Sequence, residues 1–523
     1  MPSNTLGKKY LIGACIFLIS FIIYFKTLSP TISWGDSGEF IVVAQYLGIA
    51  HPTGYPLYIL LGKLFTFLPI GSIAYRINFM SAFFASCACS ILFFVVFKLT
   101  KNVIVSGVAS LILACSYTFW SQAIIAEVYT LHIFFMMLLL LVLLIWKEKE
   151  KNVYLYVFSF LYGLSLCNHL VLSVVLLPGF IYFILIHKQN SISKIRFTRI
   201  TLKIIVIMIV FFLLGLLPYV YLPIRSLQQP NISSIDFTHI GNIIKYARGG
   251  QFTQLVLKLP SQQIVSRIFS FFYYIMLREL SFIGFVCAIL GIMYLYKKQK
   301  VFCVFTLILF LTNFIMNIIY PINLNLDEIW VWYIPIYAIC VIYIAFGLEK
   351  IIHSITNKKA VTKKIVTFLC IVIPLLLFIS NYAQVDKSQD YSPKMYADTI
   401  FRLVKNNSII VTRFGGDDTD TLLYLQIMEG KRQDVYIDSS SILIEKIRRT
   451  RNLQYTTKIS QEEGNSLLYD FIKQNIEKHP IYFINKPPQD VMKANNFSNA
   501  LVEIKQKDLI NQTVFFQKRL FVY

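Results

Sequence analysis

The sequence predicts a polytopic α-helical membrane protein of about eleven spans, closed by a small α/β soluble domain. Three observations predict it. Of its 523 residues, 56% are apolar and 15% aromatic, and the mean hydropathy is +0.63; soluble chains rarely reach such values. Apolar runs long enough to cross a bilayer recur over residues 1–382. The basic residues behind the net charge of +22 fall mostly in short loops between those runs: Lys8/Lys9, Lys98/Lys101, Lys147/Lys149/Lys151, Lys188 to Lys203, Lys297/Lys298/Lys300 and Lys350 to Lys364. That is the positive-inside pattern. Because the charge is not gathered on one surface, a nucleic-acid partner is excluded.

The spans read, in order, as 8–26, 79–98, 103–120, 129–146, 153–168, 171–187, 203–222, 281–297, 301–320, 331–348 and 365–382. With the N-terminus cytoplasmic, every Lys-rich loop falls on the cytoplasmic side, and the short opposite loops 121–128, 168–170 and 321–330 contain no Lys or Arg. The first span is not a cleaved signal peptide: a polar loop follows at once, with no small-x-small site before Trp34. Two long outside segments, 27–78 and 223–280, complete a transmembrane module over 1–382. Within the first, Tyr55 to Leu68 is an amphipathic stretch suited to the interface. An odd span count puts 383–523 outside. There, Ser408 to Thr412, Asp434 to Asp438, Pro480 to Asn485 and Val514 to Tyr523 read as strands, and Thr419 to Glu429 and Ser466 to Lys478 as helices. The nine cysteines lie in or beside apolar spans, with no disulfide framework and no metal-ligand spacing.

The most informative stretch is Trp34-Gly-Asp-Ser-Gly-Glu-Phe40, placed directly after the first span. Asp36 and Glu39 are three residues apart, so one helical turn sets both carboxylates on one face. A carboxylate at a dry boundary serves as a general base or accepts a hydrogen bond from a bound hydroxyl. Asp36 fits the N-cap of the following helix equally well. Next, His51-Pro-Thr-Gly-Tyr55-Pro56 shapes a rigid turn. Glu127, His132, Asn168 and His169 lie at span ends on the same side; they are either solvated termini or the lining of a shared cavity. Arg225 could bind a phosphate through its planar fork, with Arg248 and Arg278 as weaker candidates; the alternative for each is an interface anchor. In Arg413-Phe-Gly-Gly-Asp417-Asp418-Thr-Asp420, clustered Asp could cap a helix or bind a divalent cation. No ligand set is convincing, so metal dependence stays open.

Trp34 to Phe40 followed by His51-Pro-Thr-Gly-Tyr-Pro-Leu57 resembles the opening signature of the domain-of-unknown-function family 2723. That family is grouped as glycosyltransferase family 117 and includes the transmembrane-protein-260-type protein O-mannosyltransferases. Further matches keep the expected order: Ala126-Glu-Val-Tyr-Thr-Leu-His132, Asn168-His169, Tyr221-Leu-Pro-Ile-Arg225, Gly416-Asp-Asp-Thr-Asp-Thr-Leu-Leu-Tyr424-Leu-Gln426 and Arg432-Gln-Asp-Val435. The resemblance covers about residues 10–440. It departs from the family pattern at Asp418, where Asn is expected, and beyond 440, where the chain is short.

The resemblance implies a GT-C-like bundle, a polyprenyl-phosphate sugar as donor, and an acceptor on the non-cytoplasmic face. The first-loop base maps to Asp36, assisted by Glu39. Donor or substrate binding maps to His51, Tyr55, Glu127, His132, Asn168, His169, Arg225 and Arg248. Acceptor binding or a structural role maps to Asp417, Asp418 and Tyr424. The implied reaction is inverting transfer of a hexose, mannose among the candidates, to a hydroxyl of a protein. The alternatives are a glycan or lipid acceptor of the envelope, or a transporter, whose signs would be internal repeats and ionisable residues deep in spans; neither sign is present. Membrane lipids are the surroundings, and a bacterial inner membrane with a periplasmic C-terminal domain is the expected location.

Overall fold

The computed structural model describes residues 3–188, 195–197, 201–228, 230, 261–274, 278–320, 330–354, 360–412, 417–439, 467–484 apart from 469, 473 and 476, and 501–504. The chain divides into two compact units: Met1–Ser29 with Val43–Ser388, and Pro30–Val42 with Gln389–Tyr523. The sequence reading divided it at 382/383; the acidic stretch after the first span instead clusters with the C-terminal residues.

The first unit is helical, and each of the eleven expected spans coincides with a helix. Seven helices are long and apolar enough to cross a membrane: Gly7–Lys26, Ile73–Thr100, Tyr129–Lys149, Ser281–Lys298, Lys300–Ile319, Trp330–Ser354 and Phe368–Val385. Two more spans are bent pairs, Val103–Cys115 with Tyr117–Ala123 (67°) and Leu202–Gly215 with Leu217–Leu227 (43°). The expected spans 153–168 and 171–187 are shorter apolar helices, Val153–Asn168 and Leu170–Leu185. The protein is therefore a multi-pass membrane protein with seven to nine candidate spans among the described residues. Trp330–Ser354 is the central helix, 89% buried, whereas Gly7–Lys26, Ser281–Lys298 and Phe368–Val385 are only 22–28% buried and turn most of their apolar surface to lipid. A short antiparallel ribbon, Ile186–Lys188 with Ile195–Phe197, occupies a stretch read from sequence as a basic loop.

Lipid gives apolar helices no hydrophobic reason to associate, so close backbone packing and buried hydrogen bonds must do it. Ser281–Lys298 and Ile334–Ser354 cross at glycines. A Cβ on Gly291 would lie 1.7 Å from the Tyr343 carbonyl oxygen, and one on Gly347 2.1 Å from that of Cys287. The bend at Ser116 shows the polar part of the same logic, since a broken helix frees backbone groups that lipid cannot satisfy. The Tyr24 hydroxyl donates to the Ala114 carbonyl (3.0 Å), and Asn381 Nδ2 donates to that of Cys115 (2.8 Å). The freed Thr118 N–H donates to Glu279 (3.1 Å), and the Thr118 hydroxyl donates to the same carboxylate. Next to it, the Arg278 guanidinium lies 3.4 Å from the centroid of the Tyr117 ring.

Burial pushes the Glu279 carboxyl up to about 7, against the opposing pull of Thr118 and Arg278. A carboxyl whose pKa is raised on folding stabilises the fold below its unfolded pKa, and the contribution is lost as pH rises through the folded value. The melting midpoint in detergent is thus expected to fall as pH rises from about 4.5 to about 7, and Glu279→Gln to flatten that slope. Equal slopes in both proteins would contradict this role for Glu279.

The second unit holds a parallel sheet in the order Tyr436–Ser439, Ile409–Thr412, Ile481–Ile484, Leu501–Ile504. Ile409–Thr412 and Ile481–Ile484 are buried along their whole length, as apolar runs in the middle of a parallel sheet should be. The helix Asp417–Met428 makes the crossover between the first two strands in sequence. Ser392–Leu403 and Leu501–Ile504 were not anticipated. Residues read as the helix Ser466 to Lys478 are helical where described between Leu467 and Asn475. The expected strand Val514 to Tyr523 lies outside the described residues.

The motif Arg432-Gln-Asp-Val435 proves to be a clamp inside this unit. Arg432 donates to the carbonyls of Phe401, Val404 (3.0 Å) and Lys405 (2.7 Å), so it caps the C-terminal end of Ser392–Leu403. Asp434 takes the remaining guanidinium donors (2.9 and 3.0 Å) and the Asn407 N–H (2.9 Å). Those bonds hold its carboxyl well below the usual range.

Candidate active site

In the second unit, Asp36 is exposed and Glu39 half-buried. Asp36 stands at the N-cap position of the helix Ser37–Tyr46, its carbonyl accepting from the Phe40 N–H (2.9 Å). Gly35, at φ 84°, makes the turn into the helix. Gly38 lies against the first turn of Asp417–Met428: a Cβ there would sit 2.7 Å from the Asp420 carbonyl oxygen. The Trp34 ring meets Tyr396 edge-on at 5.3 Å. The Tyr396 hydroxyl donates to Asp418 Oδ1 (2.6 Å). Tyr424 is 3% exposed and hydrogen-bonded to Thr31; burial pushes its phenol up to about 12. Asp417 opens the helix. Thus the first and last sequence motifs, nearly 400 residues apart, share one unit. Tyr396 lies in no motif, and nothing in the sequence singled it out.

In the first unit, a second cluster gathers around His169. This residue follows the helix Val153–Asn168 and caps Leu170–Val174, its Nδ1 accepting from the Leu172 N–H (3.4 Å). That bond leaves the proton on Nε2. Around its ring stand Tyr55 (5.8 Å), Tyr129 (5.8 Å), His132 (6.0 Å) and Trp332 (5.3 Å, perpendicular), with Tyr320 stacked on Trp332 (5.0 Å). Burial, then His132 and His51, holds the His169 imidazole well below its ordinary pKa, so it is neutral and its Nε2–H is a donor. His51 Nε2 and the Tyr55 hydroxyl are 3.1 Å apart. Tyr55 reaches that position from a left-handed backbone, φ 44°, between Gly54 and Pro56; such strain in a bulky residue marks a position held by its surroundings. Asn168 Nδ2 donates to the Val128 carbonyl (3.1 Å), bracing the turn that carries Glu127. Glu127 is 7% exposed, its backbone N–H donates to the Ser81 hydroxyl (3.4 Å), and it interacts electrostatically with the buried Tyr58.

The remaining candidates are placed differently. Arg225 spends three donors within the protein: on the carbonyls of Leu47 (2.6 Å) and Tyr46 (3.2 Å), and on the Gln228 side chain. It also hydrogen-bonds the Tyr221 side chain, and so ties off the end of Ser37–Tyr46. Arg278 serves the helix break described above. Arg248 lies outside the described residues. Among the described residues, no group of three or more His, Cys, Asp or Glu side chains could hold a metal ion.

Residues 36–193 match the family model described as the protein O-mannosyl-transferase TMEM260 N-terminal domain. The resemblance read from the motifs stands. The matched range takes in Asp36, Glu39 and most of the His169 cluster; Arg225, Trp332, Tyr396 and Asp418 lie beyond it. Two curated relatives carry the same name. The chain is 34% identical to the protein O-mannosyl-transferase TMEM260 of Mus musculus over 222 residues, 41% of this chain and 30% of that protein. It is 26% identical to the tmem260 protein of Dictyostelium discoideum over 90% of this chain and 63% of that one. The chain therefore spans less than two thirds of the length of these relatives. The fold is similar to the GT-C fold of ArnT from Cupriavidus metallidurans. The structure of ArnT bound to undecaprenyl phosphate has a TM-score of 0.55 at 9% identity, covering 84% of this chain and 91% of ArnT. The apo structure gives 0.53.

Proposed function

We propose that this protein is a membrane glycosyltransferase that moves mannose from a polyprenyl-phosphate donor to a hydroxyl of a protein on the non-cytoplasmic face. The observation that carries the reading is the family match over 36–193, which contains the acidic loop. The named relatives support the sugar and the protein acceptor. The likeness to a protein whose structure holds undecaprenyl phosphate supports the lipid carrier. The relatives are eukaryotic and the fold neighbour bacterial; the proposal requires only a membrane stocked with the lipid-linked sugar.

In the proposed reaction Asp36 removes the proton of the acceptor hydroxyl as its oxygen attacks the anomeric carbon. The bond from that carbon to the phosphate oxygen breaks on the opposite face, so configuration inverts, and polyprenyl phosphate leaves with the electron pair. Neutral His169, through Nε2–H, is a donor suited to a phosphate anion, as is the Arg225 guanidinium. Glu39 and Glu127 orient hydroxyls of the sugar or acceptor.

The test is a donor screen with purified full-length protein, defined polyprenyl-phosphate sugars and acceptor peptides, read by intact mass. Addition of one hexose from the mannosyl lipid is the expected result. Turnover only with a glycan or lipid acceptor would overturn the protein acceptor. Flux of solute through proteoliposomes with no turnover of any donor would overturn the enzyme reading.

A further inference from the structure

We infer that the C-terminal unit is the mount of the acidic loop, with Tyr396 and Asp418 as positioning residues for Asp36. The inference rests on Asp36 being the base. Residues 30–42 have little structure of their own beyond the turn at Gly35 and the first turn of a helix, so their geometry must be imposed from elsewhere. Three contacts impose it. Trp34 packs on the Tyr396 ring, and the Tyr396 hydroxyl is fixed by Asp418 at 2.6 Å. Gly38 approaches the Asp420 carbonyl so closely that no larger residue fits. Thr31 hydrogen-bonds Tyr424 on the same helix, Asp417–Met428.

That helix is itself anchored. In its first turn the Thr419 hydroxyl meets the Thr412 hydroxyl at the carboxyl end of Ile409–Thr412. The strand has one neighbour on each side, Tyr436–Ser439 and Ile481–Ile484, all parallel, so the order of the strands along the sheet reverses beside it. In open parallel sheets that carboxyl-end position is where ligands are held. Here the helix that follows the strand, Asp417–Met428, lies against the chain's own residues 31–38. A domain to which the sequence assigns either acceptor binding or a structural role is thereby built to hold a loop from the other end of the chain.

Tyr396→Phe keeps the ring against Trp34 and removes the hydroxyl; Asp418→Ala removes its acceptor. Each is expected to lower kcat about 10-fold with the donor KM within about two-fold, since the displaced group acts in the chemical step. The double variant should be no worse than either single one, because both break the same bond. Asp418→Asn, whose amide oxygen still accepts from Tyr396, should recover most of what Asp418→Ala loses. Hydrogen–deuterium exchange in 30–42 should rise in Tyr396→Phe and Asp418→Ala while exchange in the membrane helices stays unchanged, which separates undocking from misfolding. Unchanged exchange in 30–42, or raised exchange with wild-type kcat, overturns the inference. Raised exchange in these variants together with full activity of Asp36→Asn would leave the mount standing and overturn Asp36 as the base.

Discussion

Asp36→Asn is expected to lower kcat by about 10³-fold, the range general-base removal spans, while the folded protein is retained. Asp36 is exposed and stands at the N-cap position of Ser37–Tyr46. Asn caps a helix as well as Asp does, so the substitution leaves local structure and changes only the ability to take a proton. The check is kcat with a mannosyl lipid donor beside the melting midpoint in detergent. Activity within a few-fold of wild type would reject Asp36 as the base. Loss of activity with an unchanged midpoint is the signature of lost chemistry. Glu39→Gln should cost less, because an orienting carboxylate is replaced by a group that still hydrogen-bonds.

Gly347→Val is expected to have the largest effect on the fold. The residue it touches is backbone: the Cys287 carbonyl oxygen would lie 2.1 Å from the new Cβ. A side chain in the way could rotate; a helix carbonyl cannot, so Ser281–Lys298 must move off the central helix. Overpacking a tight interior costs about 1–3 kcal/mol, and the two branches of Val put this case at the upper end. Gly107→Ala is the control, since a Cβ there meets only Ile16 Cδ1 at 3.9 Å. The melting midpoint should drop clearly in Gly347→Val and hold or rise in Gly107→Ala. Equal midpoints would show that the crossing at Gly291 and Gly347 is not a close backbone contact in the membrane.

The membrane unit was legible because hydropathy is a local property: each expected span coincides with a helix. The bend at Ser116 was not, because its freed groups are satisfied by Asn381 and Glu279, more than 160 residues away. The first-loop carboxylates stood out in the sequence from their place beside a span. Their membership in the C-terminal unit was hidden, because it depends on Trp34 meeting Tyr396 and Gly38 meeting Asp420. Likewise the surroundings of His169 come from four separate segments, and Trp332 gives no sign in the sequence of facing an imidazole. Arg432-Gln-Asp434, quoted above only for the family resemblance, is spent on carbonyls and one backbone N–H. Leu501–Ile504 has four residues and, among the described residues, pairs with Ile481–Ile484 alone, too short for its alternation to stand out.

Everything proposed for catalysis requires Asp36 to face the non-cytoplasmic compartment. Asp36→Cys in sealed, oriented vesicles, probed with a membrane-impermeant thiol reagent, tests this directly. The native cysteines give little background, all but Cys15 and Cys87 being buried. Labelling from the non-cytoplasmic side of intact vesicles is the expected result. Labelling only from the cytoplasmic side would contradict the account.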